Sequence, residues 1–222
     1  MPSVLIDGKE IMANPDEKIL WVALRSGIYI PHLCAIEEAE LSFGGCRLCL
    51  VDIEVDGKRK MVTSCSEPVK EGMKIYTNTE KINRMRQTAF ELIMTDHYID
   101  CGNCVKKKEC ELIKIAASLK LKLRSKRLRT IVRELPVDDS HPLITFDPRK
   151  CVKCGKCVWM CHRKGKSFLN FAYRGFGMII STFDGIPLSS TECESCLECV
   201  KVCPTGALYF KEWENKGGSP ED

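Results

Sequence analysis

The apolar residues of this 222-residue chain fall into short alternating runs as far as residue 77. Two pairs of runs are separated by Asp-Gly: residues 4–6 and 10–12 flank Asp7-Gly8, and residues 50–55 and 60–63 flank Asp56-Gly57. Asp-Gly between two such runs is a strong signal for a β-hairpin. The pattern therefore predicts two hairpins, with a further strand near residues 75–77.

A helix is predicted between the two hairpins. Asn14 can cap it, Pro15 suits its first position and Glu17 its third, and these residue types favour a helix start. Residues 19–24 form its apolar body, and Gly27 ends it. Hairpins, a helix and a returning strand match a β-grasp domain, which we place at residues 1–78 of an α+β chain.

The next part of the chain changes to a helical period. Thr77 and Glu80 form a capping box for a first helix. Its apolar positions are predicted to share one face: Ile82, Met85, Ala89, Leu92 and Ile93. A second helix is predicted through Leu112, Ile115, Ala116 and Leu119. Residues 120–133 are strongly basic and indicate a connecting arm, so a helical domain is expected over residues 79–137.

A repeated cysteine pattern dominates the last part of the chain. The run Cys151-x2-Cys154-x2-Cys157-x3-Cys161 recurs as Cys193-x2-Cys196-x2-Cys199-x3-Cys203, followed by Pro204. Both runs resemble those of two-cluster bacterial ferredoxins, in which the fourth cysteine of each run ligates the other run's cluster. The resemblance implies one 4Fe–4S cluster on Cys151, Cys154, Cys157 and Cys203, and another on Cys193, Cys196, Cys199 and Cys161. Two zinc knuckles are the alternative.

We place this two-cluster ferredoxin-like domain at residues 138–212 and expect a disordered tail over residues 213–222. Fifteen cysteines in one chain indicate disulfides, zinc or iron–sulfur clusters. The N-terminus does not resemble a signal peptide, and no apolar run is long enough to span a membrane. A cytoplasmic location is therefore expected, and its reducing conditions argue against disulfides.

Four cysteines lie in the predicted β-grasp domain, at Cys34, Cys46, Cys49 and Cys65. The close pair follows Gly44-Gly45, and glycines let backbone amides approach the sulfides of a bound cluster. The order differs from the plant-type Cys-x4-Cys-x2-Cys spacing but keeps the close pair. A 2Fe–2S cluster is predicted on these four residues, with zinc as the alternative.

Three cysteines, Cys101, Cys104 and Cys110, lie in the helical domain, and His97 precedes them as His-x3-Cys-x2-Cys-x5-Cys. Taken alone, His97 can equally be a solvent-facing residue at a helix C-terminus, where a histidine is favoured. The 15 cysteines and His97 make 16 ligands, which is four complete sets of four. A third 4Fe–4S cluster is therefore predicted on this group. The remaining histidines are expected to be loop or surface residues: His32, His141 and His162.

This order of sites resembles the N-terminal region of the large iron–sulfur subunit of NADH dehydrogenase (complex I). It is also similar to the accessory regions of iron-only hydrogenases and NAD-linked formate dehydrogenases. The His-x3-Cys-x2-Cys-x5-Cys spacing is the most specific shared motif, and residues 174–176, 187–188 and 203–208 also match. The resemblance covers residues 4–210 and implies one 2Fe–2S and three 4Fe–4S clusters.

The same resemblance implies an electron relay. Its expected partners are a flavin- and NAD(P)-binding subunit and a catalytic subunit of the hydrogenase or formate dehydrogenase type, with ferredoxin as a further partner in bifurcating relatives. No catalysis is expected of the chain alone, because it has no Gly-x-Gly-x-x-Gly fingerprint and no cysteine left for a catalytic metal. The relatives continue into a catalytic domain and this sequence stops at Asp222, so we expect the catalytic chemistry on partner chains.

The formal net charge of +4 changes when bound clusters are counted. Three four-thiolate clusters at about −2 each and one three-thiolate cluster at about −1 bring the loaded chain to about −3. Nucleic acid is therefore not an expected partner, although residues 106–133 carry 11 Lys or Arg. Two alternatives to a complex subunit remain: a free-standing multi-cluster ferredoxin-like carrier, and a metal-containing regulatory protein that binds nucleic acid through this basic segment.

Overall fold

The computed structural model describes residues 1–40, 42–193 and 196–215. The chain divides into two compact units, each with its own hydrophobic core. The first comprises Met1–Leu92 with Ser118–Leu121, and the second comprises Ile93–Ala117 with the described part of Lys122–Asp222. This division is coarser than the three domains predicted from the sequence, whose boundaries stay a prediction.

The first unit is built on a five-stranded mixed sheet. Its strands are β1 (Ser3–Ile6), β2 (Lys9–Met12), β3 (Leu50–Val55), β4 (Lys58–Thr63) and β5 (Lys74–Tyr76), in the order β2-β1-β5-β3-β4. β1 and β5 pair in parallel, and the other pairs are antiparallel. Both predicted hairpins are confirmed, and Asp7, Gly8, Asp56 and Gly57 have the positive φ that a tight hairpin turn needs.

The helix α1 (Ile19–Arg25) contributes its apolar side chains to the core of this sheet. It begins at Ile19, later than the predicted start at Pro15. Glu17 still accepts a hydrogen bond from the amide of Asn14 at 2.9 Å. Asp16, however, has a φ of 59°, and this left-handed conformation cannot continue into a helix. The predicted cap at Asn14 is therefore wrong: the residue that caps α1 is Lys18, which makes no side-chain capping hydrogen bond.

The helix α2 (Glu80–Thr95) starts at a different cap from the predicted one. Thr79 accepts the amide of Ile82 at 3.3 Å. The hydroxyl of Thr77, the predicted cap, instead donates to the carboxylate of Asp7. Tertiary contact with the first hairpin thus takes Thr77 away from the helix.

The predicted apolar face of α2 is wrong in part. Met85 is 48% and Leu92 is 51% exposed. The buried positions are Ile82, Arg86, Phe90, Glu91, Met94 and Thr95. Two charged residues, Arg86 and Glu91, are therefore buried on this helix.

The second unit is made of short elements. They are α3 (Glu111–Ser118), β6 (Ile144–Phe146), α4 (Lys156–Arg163), β7 (Asn170–Ala172), β8 (Ile179–Ser181), α5 (Glu198–Lys201), β9 (Leu208–Phe210) and α6 (Lys211–Asn215). β6 pairs antiparallel with β9, and β7 with β8. The third cysteine of each run lies in a helix, Cys157 in α4 and Cys199 in α5. The sequence repeat is therefore also a repeat of local structure.

The structure of the segments on either side of this repeat agrees with most of the predictions made from the sequence. The predicted helix is confirmed at Leu112, Ile115 and Ala116, which are buried, but it ends at Ser118 and does not reach Leu119. Residues 119–137 form neither helix nor strand. Trp213 is buried in α6, so the predicted disordered tail does not begin at this residue. Residues 216–222 of that tail lie outside the described residues.

Among the helices of the described ranges, none is both long and apolar enough to cross a membrane.

Candidate metal centres

The end of the β3–β4 hairpin brings two predicted ligands together. Cys49 directly precedes β3, and Cys65 follows the end of β4 by two residues. The amide of Ser64 donates to the carbonyl of Cys49 at 3.0 Å, and the thiols of Cys49 and Cys65 hydrogen-bond to each other. This thiol contact raises the pKa of Cys49 and lowers the pKa of Cys65.

Cys34 and Cys46 make the other pair of this group. The amide of Cys46 donates to Sγ of Cys34 at 3.5 Å. The hydrogen bond from the Cys34 thiol, assisted by backbone amides, lowers the pKa of Cys46 to about 6. The hydrogen bond to Cys46, burial and then the charges of Cys46 and Cys49 raise the pKa of Cys34. Two thiol pairs within electrostatic reach of each other fit a 2Fe–2S cluster, in which each iron takes two cysteines.

The loop between α2 and α3 carries the middle group. Cys110 directly precedes α3, and it is buried. Burial raises its pKa, and the charges of Cys104 and Cys101 act in the same direction. The three thiols therefore lie within electrostatic reach of one another.

His97 follows the end of α2 by two residues and is only 8% exposed. Burial lowers its pKa to about 4, against a hydrogen bond to the backbone of Lys150 that raises it. Its Nδ1 atom is buried and has no hydrogen-bond partner within the described structure. His97 therefore does not face solvent, and a neutral imidazole with a free nitrogen is a suitable metal ligand.

Two cavities lie in the cysteine-rich part of the second unit, and each is lined by four cysteines. The first is lined by Cys151, Cys154, Cys157 and Cys203. The second is lined by Cys161, Cys193, Cys196 and Cys199. Each cavity thus combines three cysteines of one run with the fourth cysteine of the other run, which is the crosswise grouping expected of a two-cluster ferredoxin.

The cysteine thiols of both cavities are affected by burial and by hydrogen bonds from backbone amides. Burial raises the pKa of Cys151 and of Cys199 to about 12, with neighbouring cysteine charges acting in the same direction. The amide of Lys153 donates to Sγ of Cys151 at 3.4 Å, and the amide of Phe168 donates to Sγ of Cys161 at 3.2 Å. Buried thiolates need compensating positive charge, which cluster iron supplies, so the residues fit the group.

All fifteen cysteines are free of disulfide bonds. Across the described ranges, no three His, Cys, Asp or Glu side chains form a group that could hold a single metal ion. Cluster ligands bind separate irons or share an iron in pairs, so a cluster does not require such a group.

Three models of known protein families match separate parts of the chain. Residues 3–80 match the 2Fe-2S iron-sulfur cluster binding domain, residues 86–123 the NADH-ubiquinone oxidoreductase-G iron-sulfur binding region, and residues 186–209 the 4Fe-4S binding domain. The NADPH-Fe(3+) oxidoreductase subunit alpha of Geobacter sulfurreducens is 37% identical over 98% of this chain and 25% of its own length. The NADP-reducing hydrogenase subunit HndD of Solidesulfovibrio fructosivorans is 34% identical over 96% of this chain and 37% of its own.

A solved structure matches nearly the whole chain. In the crystal structure of the NAD+-reducing NiFe-hydrogenase in its H2-reduced state, one chain is 30% identical with a TM-score of 0.84. The match covers 95% of this chain and 87% of that chain. This chain belongs to the NADH dehydrogenase-like iron–sulfur subunit family. The same family includes the matching chain of the NAD+-reducing hydrogenase and the iron–sulfur region of NADH-ubiquinone oxidoreductase-G.

Membership in the NADH dehydrogenase-like family confirms a 2Fe–2S domain and 4Fe–4S binding domains. The chain spans well under half the length of the two curated relatives, 25% and 37%. The individual ligand sets and the number of clusters stay predictions.

Arg86 is a site residue that the sequence did not reveal. Its guanidinium is buried, and it donates to the carbonyls of Leu50 at 2.6 Å and Thr77 at 2.9 Å. Burial lowers its pKa to about 10, and the charge of Cys49 acts in the opposite direction. A buried cation thus lies within electrostatic reach of the N-terminal cysteines of this NADH dehydrogenase-like chain. The sequence feature that could have pointed to Arg86 is its position four residues after Ile82, which places a charged side chain on the inward face of α2.

Contacts between the middle loop and the end of the second cysteine run were also missed. Lys106 is buried, and its Nζ donates to the carbonyl of Cys203 at 3.1 Å. A Cβ atom added to Gly206 would lie 2.6 Å from Sγ of Cys104. The middle loop therefore packs directly on the Cys203–Gly206 turn.

His141 was expected to be a loop or surface residue; it lies in a loop, but it is buried rather than at the surface. Its side chain is 2% exposed, and it lines the cavity of Cys161 and Cys199. His162, in contrast, is exposed as expected, and His32 is half-buried with Nδ1 2.9 Å from the carbonyl of Ile30.

Proposed function

We propose that this chain is an electron-relay subunit that holds one 2Fe–2S cluster and three 4Fe–4S clusters. The 2Fe–2S ligands are Cys34, Cys46, Cys49 and Cys65. The 4Fe–4S ligand sets are His97 with Cys101, Cys104 and Cys110; Cys151, Cys154 and Cys157 with Cys203; and Cys193, Cys196 and Cys199 with Cys161. The observation that carries the proposal is the pair of cavities, each lined by four cysteines.

Bound clusters supply one-electron redox chemistry, whose potential depends on ligands, hydrogen bonds and solvent access. The residues of this chain control all three. They bury the thiols, donate backbone amides to Sγ of Cys151 and Cys161, and provide a neutral imidazole at His97. A neutral imidazole in place of a thiolate removes one negative charge from the site. Adding an electron then costs less, so the His97 cluster should have a raised reduction potential.

The proposed partners follow from the relatives. The names of the NADP-reducing and NAD+-reducing hydrogenases support a flavin- and NAD(P)-binding subunit at one end of the relay and a hydrogenase-type catalytic subunit at the other. A formate dehydrogenase-type subunit is the alternative catalytic partner, and ferredoxin a further one. Fifteen cysteines without a disulfide bond suit a reducing compartment, and we propose the cytoplasm.

Exposed aromatic side chains favour a bound subunit over a free-standing carrier. Between residues 173 and 186, Tyr173 is 76%, Phe176 is 73% and Phe183 is 86% exposed. Large aromatic residues are enriched where proteins bind each other. A nucleic-acid-binding role has less support, because Lys106 of the basic segment is buried and bound clusters would make the chain acidic.

Three serine variants test the ligand sets. Cys154→Ser should change one 4Fe–4S signal, measured by EPR after stepwise reduction, and Cys196→Ser should change another. Cys203→Ser should change the same signal as Cys154→Ser, because both side chains line one cavity. A Cys203→Ser protein that matches Cys196→Ser would contradict the crosswise sets, and unaltered cluster signals in all three variants would contradict the function.

A further inference from the structure

His141 lies in the segment before β6, with its imidazole buried to 98%. Its Nδ1 atom faces two backbone amides, those of Leu143 at 3.1 Å and Ile144 at 3.3 Å. An imidazole nitrogen that accepts hydrogen bonds carries no proton, so the ring proton lies on Nε2. The backbone therefore fixes His141 as a hydrogen-bond donor at Nε2.

That donor has no acceptor in the described part of the protein. Nε2 of His141 is fully buried and makes no hydrogen bond. A buried donor without a partner costs about 1–3 kcal/mol, so native proteins rarely leave one unsatisfied. The position calls for an acceptor that is bound to the protein rather than part of it.

The cavity next to the ring identifies the kind of acceptor. His141 lines it together with the four sulfur-bearing residues Cys161, Cys193, Cys196 and Cys199. Most of the remaining lining is apolar, and Lys166 and Glu198 are the charged side chains among the lining residues. A sulfur-rich anionic group in this cavity would place thiolate or sulfide acceptors beside the imidazole.

We propose that His141 donates its Nε2 proton in a hydrogen bond to a sulfur atom of the 4Fe–4S cluster in this cavity and raises the potential of that cluster. The inference rests on the proposed function, since it requires a cluster on these four cysteines. A hydrogen bond to cluster sulfur stabilises the reduced state more than the oxidised state, because the reduced cluster carries more negative charge. His141 is thus a positioning residue that sets the potential without ligating iron.

Two variants separate the two nitrogens of His141. His141→Asn keeps an acceptor at the position of Nδ1, for the amides of Leu143 and Ile144, but removes the donor that reaches the cavity. His141→Gln places an amide donor at the position of Nε2. His162→Asn is the matched control, because it makes the same change at an exposed histidine beside Cys161.

The measurement is an EPR-monitored redox titration of the reconstituted full chain, with the signal of this cavity identified by its loss in Cys199→Ala. In His141→Asn, iron content should be unchanged, and the ratio of reduced to oxidised cluster at a fixed potential should fall about tenfold, equal to a shift of about 59 mV. His141→Gln should recover part of this shift, and His162→Asn should show none.

Two results would overturn the inference. One is an unchanged potential in His141→Asn with full iron content, which would leave the proposed function intact. The other is loss of the cluster in both the Asn and the Gln variant, which would show that the buried imidazole is needed to hold the site together and does not act by setting the potential. A wild-type chain without any signal that Cys199→Ala removes would instead overturn the proposed function, and the inference with it.

Discussion

His97 and His141 are both buried imidazoles with one nitrogen that makes no hydrogen bond within the described structure. They differ in which nitrogen is available. His97 has a free Nδ1, and its group of three cysteines lacks a fourth thiolate. His141 has a free Nε2 beside a cavity that already has four cysteines. We therefore propose His97 as an iron ligand and His141 as a hydrogen-bond donor to cluster sulfur.

Replacing His97 tests the first assignment. His97→Ala should remove one 4Fe–4S EPR signal or convert it to a three-iron form, and the other three clusters should remain. His97→Cys should keep four irons at this site but lower its potential, because a thiolate adds negative charge. His162→Ala is the suitable control, since His162 is exposed. Unchanged signals and potentials in His97→Ala would mean that a different group completes this site.

Gly206 tests the contact between the middle loop and the second cysteine run. In Gly206→Ala the new Cβ would lie 2.6 Å from Sγ of Cys104, so the sulfur must move. We expect loss of iron from the His97 site and a decrease in unfolding free energy of about 1–3 kcal/mol. Iron analysis and thermal unfolding measure the two effects.

Gly102→Ala is the matched control for this change, because Gly102 lies in the loop that carries Cys104 and its added Cβ would meet no atom within 4 Å. Equal iron content in the two alanine variants would show that the loop accommodates the extra methyl group and would refute the proposed contact.

At the scale of elements, α2 places a cation near the N-terminal cysteines through Arg86. Arg86→Met would leave the carbonyls of Leu50 and Thr77 without this donor. The expected cost is about 1–3 kcal/mol of unfolding free energy. Loss of the positive charge should also lower the potential of the 2Fe–2S cluster.

Thermal unfolding and a redox titration of the 2Fe–2S signal check both effects. Arg84→Met is the control, since Arg84 lies on the same helix but is exposed. The interpretation of Arg86 would be wrong if both variants unfolded at the same temperature with the same potential.

Elements whose conformation depends on neighbouring residues could be predicted from the sequence. The hairpins at Asp7-Gly8 and Asp56-Gly57 follow from turn residues that require no distant partner. The inward face of α2 could not be predicted, because Arg86 is buried by bonding carbonyls that are distant in the sequence. The start of α1 was placed too early because Asp16 has a left-handed backbone conformation that the sequence did not indicate.

The same distinction applies to the candidate sites. Cysteine spacing, read through the resemblance to two-cluster ferredoxins, grouped the residues that line these two cavities of the second unit. It could not reveal His141, whose role depends on burial and on backbone amides at Leu143 and Ile144. Spacing identifies ligands, whereas the residues that tune a ligand set become visible only in three dimensions.

At the scale of the whole molecule, both compact units carry cysteine groups. The first unit holds the Cys34–Cys65 group, and the second holds the other three. Every cysteine and one histidine are thereby assigned to four sites, with no thiol left over. The proposed relay depends on this full set of iron–sulfur clusters.

Iron and sulfide analysis after anaerobic reconstitution shows whether the full set is present. One 2Fe–2S cluster and three 4Fe–4S clusters predict about 14 iron atoms and about 14 sulfides per chain, with visible charge-transfer absorption that bleaches on reduction. A chain that instead binds about four zinc ions, with no sulfide and no visible absorption, would contradict the assignment of these sites to iron–sulfur clusters.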